Sequence, residues 1–281
     1  MNTFILKTGR EIPSLGYGTW KLKNDPETEN VIAAAIKLGY RHIDTAKAYL
    51  NEETIGKGIK KSKIKRNEIF ITGKLWNDDR GYENVINACK ETIKKLDVEY
   101  LDLYLIHWPA SPALYENWID INNETWKAFE TLYSEGLVKA IGVCNFNVRQ
   151  LEKMIENCKV KPMVNQIEIH PGQLPTEIIK YCQKNKIIVE AWGPLGSGKM
   201  LKKQELINMA EKYNITTAQL CIKWCIQNDV LPICKSKNID RISSNLDIWN
   251  FEISKEDMTY LNNLPYLGGS GLDSETLTLF N

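Results

Sequence analysis

The sequence predicts an α/β protein: a closed (β/α)8 TIM barrel with an N-terminal β-hairpin and a short C-terminal tail. Short β-rich runs recur at intervals of about 25–40 residues, as the repeated strand–helix units of a parallel sheet require. Runs such as IFITG, LDLYLI and IIVEAW are almost continuously apolar, which is typical of strands covered on both faces. The 281 residues suit one such barrel and no linker divides them, so we expect a single domain over residues 1–281.

The candidate strands and helices alternate along the chain. We predict strands at Leu15–Gly18, Arg41–Asp44, Ile69–Gly73, Leu101–Ile106, Ala140–Val143, Met163–Ile167, Ile187–Ala191 and Val230–Pro232. Helix-forming residues and apolar positions at three- and four-residue steps predict helices at Glu29–Leu38, Glu83–Leu96 and Glu124–Ser134. The stretch 109–124, which follows the fourth strand, is interpreted as a loop that covers the site.

Composition limits the functions that the chain can have. With 36 basic and 35 acidic residues, the formal net charge is +1, which does not indicate a nucleic-acid binder. The N-terminal run MNTFILKTGREIP is too short and too charged for a signal peptide or a membrane span. Seven scattered cysteines without metal-ligand spacing indicate reduced thiols and no metal site. We therefore expect a cytoplasmic protein that binds a small molecule.

Polar residues follow three successive predicted strands, where a barrel places its active site. Asp44 ends the second strand, Lys74 the third and His107 the fourth, and Tyr49 comes five residues after Asp44. Taken one at a time, these residues also suit a structural ion pair, a core histidine and a packing tyrosine. Their position at neighbouring strand ends favours a shared site.

This set of side chains suits the protonation of an oxygen atom. We expect a buried Lys74 ammonium to pair with Asp44 and to lower the pKa of Tyr49 below its usual value of about 10. A phenol tuned in this way is a general acid, and His107 is placed to donate a hydrogen bond to a substrate carbonyl oxygen. The chemistry therefore fits a hydride arriving at a carbonyl carbon.

Eight ordered segments resemble the signatures of the aldo-keto reductase superfamily, and most closely its 2,5-diketogluconate reductase and prostaglandin F synthase-like branch. They are LGYGTWKL, RHIDTAKAYLNEETIGKGI, IFITGKLWN, LDLYLIHWP, VKAIGVCNFN, VNQIEIHP, EAWGPLGSGKM and CKSKNIDRISSN. The resemblance implies a barrel that binds NADPH without a Rossmann domain. It implies that Tyr49 is the acid, that Lys74 and Asp44 tune it, and that His107 orients the carbonyl.

The resemblance also implies the cofactor residues. Asn145 and Gln166 match the residues that hold the nicotinamide carboxamide, and Trp192 matches the aromatic residue stacked on the nicotinamide ring. The loop that contains Gly193, Leu195 and Gly196 brings backbone amides close to the pyrophosphate. The remaining matches grip the 2′-phosphate and the adenine: Lys235, Ser236, Arg241 and Asn245.

Three positions depart from the family pattern. Gly73 replaces a threonine, which we expect to affect only the packing behind Lys74. Cys144 replaces a serine, so one hydrogen bond to the cofactor is expected to be weaker. Gly193 stands at a position that is often serine.

The spacing G-x-x-x-x-G-K in GPLGSGK also matches a phosphate-binding loop of nucleotide triphosphatases. There a serine or threonine follows the lysine, whereas Met200 follows Lys199 here, which argues against that function.

Several alternatives for function and substrate stay open at this point. Trp20, Trp76 and Trp108 suggest an aromatic-walled pocket for aromatic aldehydes, α-dicarbonyls such as methylglyoxal, or keto-sugar acids. A cofactor-binding redox sensor or structural protein on the same barrel is the main alternative. A Schiff-base aldolase or isomerase that uses Lys74 is disfavoured, because a lysine paired with Asp44 stays protonated. A closed barrel has no free sheet edge, so we expect a monomer.

Overall fold

A computed structural model describes residues 3–276 of the protein and shows a closed eight-stranded barrel. The barrel strands are β3 (Gly16–Gly18), β4 (His42–Asp44), β5 (Phe70–Leu75), β6 (Leu103–Ile106), β7 (Ile141–Cys144), β8 (Val164–Glu168), β9 (Ile188–Trp192) and β10 (Leu231–Cys234). Each strand pairs in parallel with its neighbours, and β10 pairs with both β9 and β3 to close the barrel. The predicted (β/α)8 fold is confirmed, and each predicted strand lies within about two residues of the observed one.

Helices surround this barrel. They are α1 (Pro26–Leu38), α2 (Glu52–Ser62), α3 (Tyr82–Lys95), α4 (Trp118–Ser134), α5 (Val148–Asn157), α6 (Thr176–Lys184), α7 (Gln204–Lys212), α8 (Thr217–Gln227), α9 (Ile239–Leu246) and α10 (Lys255–Asn262). The Asp25 carboxylate accepts a hydrogen bond from the Thr28 amide and caps α1, which ends at Gly39. Gly39 has a φ of 126°, a backbone conformation that glycine adopts without the strain of a side chain.

The interpretation of residues 109–124 as a loop is wrong from Trp118 onwards, because α4 begins at that residue. The asparagine- and aspartate-rich sequence of its first turns has a weak intrinsic helix propensity. Tertiary packing overrides that propensity, because Trp118 and Asn122 are both buried. The Asn122 side chain also accepts from the Ala110 amide at 2.8 Å and donates to the Ala110 carbonyl at 3.3 Å. These contacts hold the preceding loop against the helix.

Gly73, a departure from the family pattern, faces the helix layer. A Cβ atom at this position would lie 3.0 Å from Leu101 Cδ1 and 3.3 Å from Thr92 Cγ2. Neighbouring side chains therefore fill the space that a larger residue would need. The expectation that this departure affects packing behind Lys74 agrees with these contacts.

The predicted N-terminal hairpin is present, formed by β1 (Thr3–Ile5) and β2 (Glu11–Pro13). Arg10 lies in the turn of this hairpin and forms an ion pair with Asp102, which comes just before β6. Asp102 is 2% exposed, and it also accepts from Arg66 Nη2 at 2.7 Å and from the Ile71 amide at 3.0 Å. This carboxylate therefore fastens the hairpin to the amino-terminal end of the barrel, opposite the strand ends that carry the predicted site.

The seven cysteines are free thiols; six are buried and Cys158 is partly exposed. This agrees with the prediction of unpaired cysteines. Among residues 3–276, no helix combines the length and the apolar character needed to cross a bilayer.

Replacing the buried Asp102 tests its role in stability. We expect Asp102→Asn to lower the free energy of unfolding by about 2–4 kcal/mol, because the partly buried Arg66 and the more exposed Arg10 both lose their charged partner. Asp97 forms an exposed ion pair with Lys60, so Asp97→Asn should change stability by no more than about 0.5 kcal/mol. Urea denaturation of both variants measures the difference; equal effects would contradict this role for Asp102.

Candidate active site

The four predicted catalytic side chains come from neighbouring strand ends. Asp44 is the last residue of β4 and Lys74 lies in β5. Lys74 Nζ donates to Asp44 Oδ1 at 2.6 Å and to Tyr49 Oη at 3.3 Å. Lys74 is fully buried, so its charge is balanced inside the barrel by Asp44.

A short 3-10 turn, Lys47–Tyr49, carries the tyrosine. Lys47 Nζ lies 2.9 Å from the Asp79 carboxylate, which ties the turn to the loop after β5. On the other side, the buried Asn51 amide donates to the carbonyl oxygens of Thr19 and Leu22, both at 3.0 Å. The turn is therefore held to both adjacent loops, and this restrains the Tyr49 side chain beside Lys74.

His107 follows β6 and completes the group. Its ring meets the Tyr49 ring edge to face at 5.7 Å between centroids, and it meets the Trp76 ring in the same way at 5.2 Å. Burial, and then the nearby Lys74 charge, lower the pKa of His107 well below its ordinary value. The imidazole is therefore neutral at pH 7 and can donate a hydrogen bond from only one ring nitrogen.

The expected lowering of the Tyr49 pKa is wrong. Burial raises the pKa of Tyr49 to about 12, and the Lys74 charge offsets only part of this effect. The negative charge of Asp44 disfavours a phenolate and so raises the pKa of Tyr49, against the effect of the Lys74 charge. Burial is the largest single influence on the pKa of Lys74 and would lower it, but the charge and hydrogen bond of Asp44, together with smaller contributions from Tyr49 and Cys144, leave that pKa above its ordinary value. At neutral pH the site thus holds a protonated phenol beside a charged ammonium.

A buried hydrogen-bond chain continues behind Asp44. Gln166 Nε2 donates to Asp44 Oδ2 at 2.9 Å and to Glu190 Oε2 at 2.7 Å. Burial raises the pKa of Glu190 to about 8, so this carboxyl is mostly protonated at pH 7. Our sequence analysis missed Glu190; the signal was a lone acidic residue inside the apolar run IIVEAW.

The residues matched to the nicotinamide site lie beside this chain. Asn145 follows β7 with a φ of 64°, and its Nδ2 donates to the His107 carbonyl at 3.0 Å. Trp192, the last residue of β9, donates from Nε1 to Asn145 Oδ1 at 2.8 Å. Cys144 Sγ lies 3.9 Å from Gln166 Oε1, and burial raises the thiol pKa so that the thiol stays neutral. The structure therefore brings Cys144, Asn145, Gln166 and Trp192 together.

The loop after β9 offers open backbone. Gly193, Gly196 and Gly198 have φ values of 65°, 53° and 90°. A Cβ atom on Gly193 or Gly198 would meet no other atom within 4 Å, which leaves room for a ligand at the backbone. Leu195 packs on the hydrophobic core. Lys199 Nζ donates to the carbonyl of Gly269 at 2.8 Å, so this lysine holds the C-terminal tail.

A cluster of cations follows β10. Burial lowers the pKa of Lys235, and the charges of Lys237 and Lys21 lower it further. Neighbouring ammonium groups that disfavour one another's charge in this way would be stabilised by an anion.

The start of α9 adjoins that cluster. The Asn238 side chain caps the helix by accepting from the Arg241 amide at 2.9 Å, and Ser236 Oγ accepts from the Asn238 amide at 3.2 Å. Asn245 is buried on the same helix. The helix N-terminus adds its partial positive charge to that of the lysines. The four residues predicted to hold the adenosine end of the cofactor thus lie along one short segment.

The structure places the predicted aromatic wall only in part. Trp76 contacts His107, as described above. Trp108 is 5% exposed, and its carbonyl accepts from Arg80 Nη2 at 3.2 Å. Trp20 is 50% exposed, and Lys21 Nζ lies 4.1 Å from its ring centroid. Trp76 therefore contacts the catalytic group through His107.

Fold and site together define an enzyme of the (β/α)8-barrel class, with its reactive groups at the carboxyl ends of the strands. The aldo/keto reductase family model matches residues 14–265. The chain belongs to this family and is an oxidoreductase.

Three comparisons illustrate the relationship. The chain is 45% identical to a glyoxal reductase of Bacillus subtilis, over 92% of this chain and 90% of the relative. It is 41% identical to the methylglyoxal reductase DkgA of Escherichia coli, over 90% of each. The crystal structure of a Gox0644 mutant in complex with NADPH superposes with a TM-score of 0.91 at 39% identity and covers 99% of both chains.

Removing the Asp44 charge tests the buried ion pair. We expect Asp44→Asn to lower the free energy of unfolding by about 3–5 kcal/mol near neutral pH, because the buried ammonium loses its partner. Burial would then hold the Lys74 pKa below its unfolded value. The loss should therefore grow as the pH falls and shrink as it rises. Chemical denaturation at several pH values measures this slope, and a pH-independent loss would contradict the assignment.

Proposed function

We propose that the protein reduces aldehydes or ketones to alcohols with NADPH, with Tyr49 as the general acid. The observation that carries the proposal is the fully buried Lys74, which bonds both to Asp44 and to the phenol oxygen of Tyr49. The relatives named for glyoxal and methylglyoxal reduction favour small α-dicarbonyl substrates. Aromatic aldehydes and keto-sugar acids are further candidates for the same chemistry.

Tyr49 and Lys74 have different roles in protonating the carbonyl oxygen. NADPH, when bound, supplies a hydride to the carbonyl carbon. Tyr49 keeps its proton at neutral pH, since its pKa is about 12, and releases it only as negative charge develops on the carbonyl oxygen. The Lys74 ammonium, 3.3 Å from the phenol oxygen, then stabilises the tyrosinate that remains. Water returns the proton to Tyr49, so the net product is an alcohol.

His107 orients the substrate carbonyl. Its ring lies edge to face with Tyr49 at 5.7 Å and is neutral, so it can donate one hydrogen bond without delivering a charge. A donor fixed beside the acid would hold the carbonyl oxygen within reach of the phenol. Trp76 also packs edge to face with His107 and supports its ring.

The residues present fit NADPH. The lysines around Lys235 and the start of α9 suit a phosphate, so Lys235, Ser236, Arg241 and Asn245 would hold the 2′-phosphate and the adenine. The loop that contains Gly193, Leu195 and Gly196, whose backbone is open at Gly193, would hold the pyrophosphate. Asn145 and Gln166 would bind the carboxamide, and Trp192 would stack on the nicotinamide ring.

The Schiff-base alternative is disfavoured by the site. The Asp44 charge raises the pKa of Lys74, so the amine is not a free nucleophile at neutral pH. A redox sensor without turnover would not need an acid, its cation and a carbonyl donor in one place.

We further propose that the chain forms one domain and works as a monomer in the cytoplasm. One continuous hydrophobic core and a barrel in which every strand is paired support the first two points. Seven free cysteines suit a reducing compartment.

Removing the phenol oxygen tests the acid. We expect Tyr49→Phe to lower kcat by about 10²–10⁴-fold and to leave the NADPH dissociation constant within about threefold of the original value. The matched control is Tyr82→Phe, which removes an exposed phenol bonded to Thr131 and should not affect turnover. Oxidation of NADPH with methylglyoxal, followed at 340 nm, gives both rates. Undiminished turnover of Tyr49→Phe would overturn the proposal.

Neutralising the cations after β10 tests the phosphate site. We expect Lys235→Ala and Arg241→Ala each to raise the NADPH dissociation constant by about 10-fold or more, because each removes a charge-assisted hydrogen bond. The NADH dissociation constant should change little, since NADH lacks the 2′-phosphate. Lys60→Ala, at an exposed ion pair elsewhere, is the control. Equal weakening of both cofactors, measured by calorimetry, would disprove the assignment.

A further inference from the structure

The amide of Gln166 has both of its N–H donors engaged inside the barrel. One donates to Asp44 Oδ2 at 2.9 Å and the other to Glu190 Oε2 at 2.7 Å. Both carboxyl groups are buried, and Gln166 itself is only 2% exposed. The opposite orientation of the amide would turn its oxygen toward the Asp44 carboxylate, which is repulsive. The remaining polar atom of the side chain is the acceptor Oε1, which lies 3.9 Å from the thiol of Cys144, a weak donor.

The place of Glu190 in the barrel explains why it can accept a hydrogen bond from Gln166. Glu190 on β9 lies directly opposite Gln166 on β8 in the parallel register. It is completely buried in an otherwise apolar strand, where a carboxyl group is costly unless it makes a hydrogen bond. Its Oε2 can accept from Gln166 whether or not the group is protonated. Its Oε1 has no hydrogen-bond partner within residues 3–276, so Gln166 is the contact that accounts for its presence.

We propose that Glu190 is a positioning residue that, together with Asp44, fixes the Gln166 amide so that only its carbonyl oxygen is offered to the nicotinamide carboxamide. This inference rests on the proposed function, in which Gln166 binds that carboxamide. The carboxamide NH₂ group is a donor, and Oε1 of a fixed Gln166 is the matching acceptor. Glu190 thus acts on cofactor binding through Gln166.

Chemically modified cofactors separate this role from simple packing. The 3-acetylpyridine analogue of NADP⁺ replaces the carboxamide with a methyl ketone, so it cannot donate to Gln166 Oε1. Adenosine 2′,5′-bisphosphate has no nicotinamide ring and reports only on the adenosine end of the site. Binding of these two ligands and of NADP⁺ is measured by calorimetry without substrate, so turnover does not enter. The three affinities separate the contribution of the carboxamide from those of the rest of the dinucleotide and of its adenosine end.

We expect Glu190→Leu to weaken NADP⁺ binding by about 10-fold, because a freed amide N–H loses its buried acceptor and the amide can turn. Binding of the acetylpyridine analogue and of adenosine 2′,5′-bisphosphate should change by less than about threefold. Glu190→Gln can still accept through its own amide oxygen, so it should restore NADP⁺ binding to within about threefold of the original protein. Glu190→Met, of similar length and without a strong acceptor, serves if Glu190→Leu does not fold.

Three results would overturn the inference. Equal weakening of NADP⁺ and its analogue would show that Glu190 only supports packing, and unchanged NADP⁺ binding in the variants would show that Gln166 does not need it. Failure of Glu190→Gln to restore binding would exclude the hydrogen bond as the cause. If the unaltered protein bound neither dinucleotide, the proposed function itself would fail, and this outcome is distinct from the others.

Discussion

The charge of one fully buried amine, Lys74, constrains the rest of the site. An ammonium group at the centre of a barrel must be neutralised and hydrogen-bonded, or the fold loses several kcal/mol. Asp44 provides the opposite charge at 2.6 Å, and Tyr49 takes a further hydrogen bond at 3.3 Å. The second oxygen of Asp44 is held by Gln166, whose other donor goes to Glu190. The groups that stabilise the buried lysine are therefore the same groups to which the proposed function assigns catalysis and cofactor binding.

This arrangement changes how the tyrosine acts. A cation beside a phenol is expected to favour the phenolate, but burial in the barrel has the larger effect and raises the pKa to about 12. The phenol therefore holds its proton in the ground state, and in the proposed reaction the ammonium would contribute when negative charge forms. The neutral His107 fits the same logic, since it can orient a carbonyl without competing as a proton donor.

The two ends of the barrel have separate roles. At the amino-terminal end, Asp102 binds Arg10 and Arg66 and fastens the hairpin, which is a matter of stability. At the carboxyl end, the strand ends and the loops that follow them carry the polar residues, and hydrogen bonds such as Lys47–Asp79 and Asn145–Trp192 hold these segments to one another. These contacts therefore restrain the loop residues of the site beside the strand residues Asp44, Lys74 and Gln166.

The amino-acid sequence alone determined the barrel, the strand positions to within about two residues and the order of Asp44, Lys74 and His107 at successive strand ends. These features follow from local patterns of apolar residues and from the rule that parallel strands end together. The tertiary structure decided the helical state of residues 118–124, the direction of the Tyr49 pKa shift and the contact between Glu190 and Gln166. Each of these depends on how deeply a side chain is buried and on what faces it across the barrel, and neighbours along the chain do not specify either.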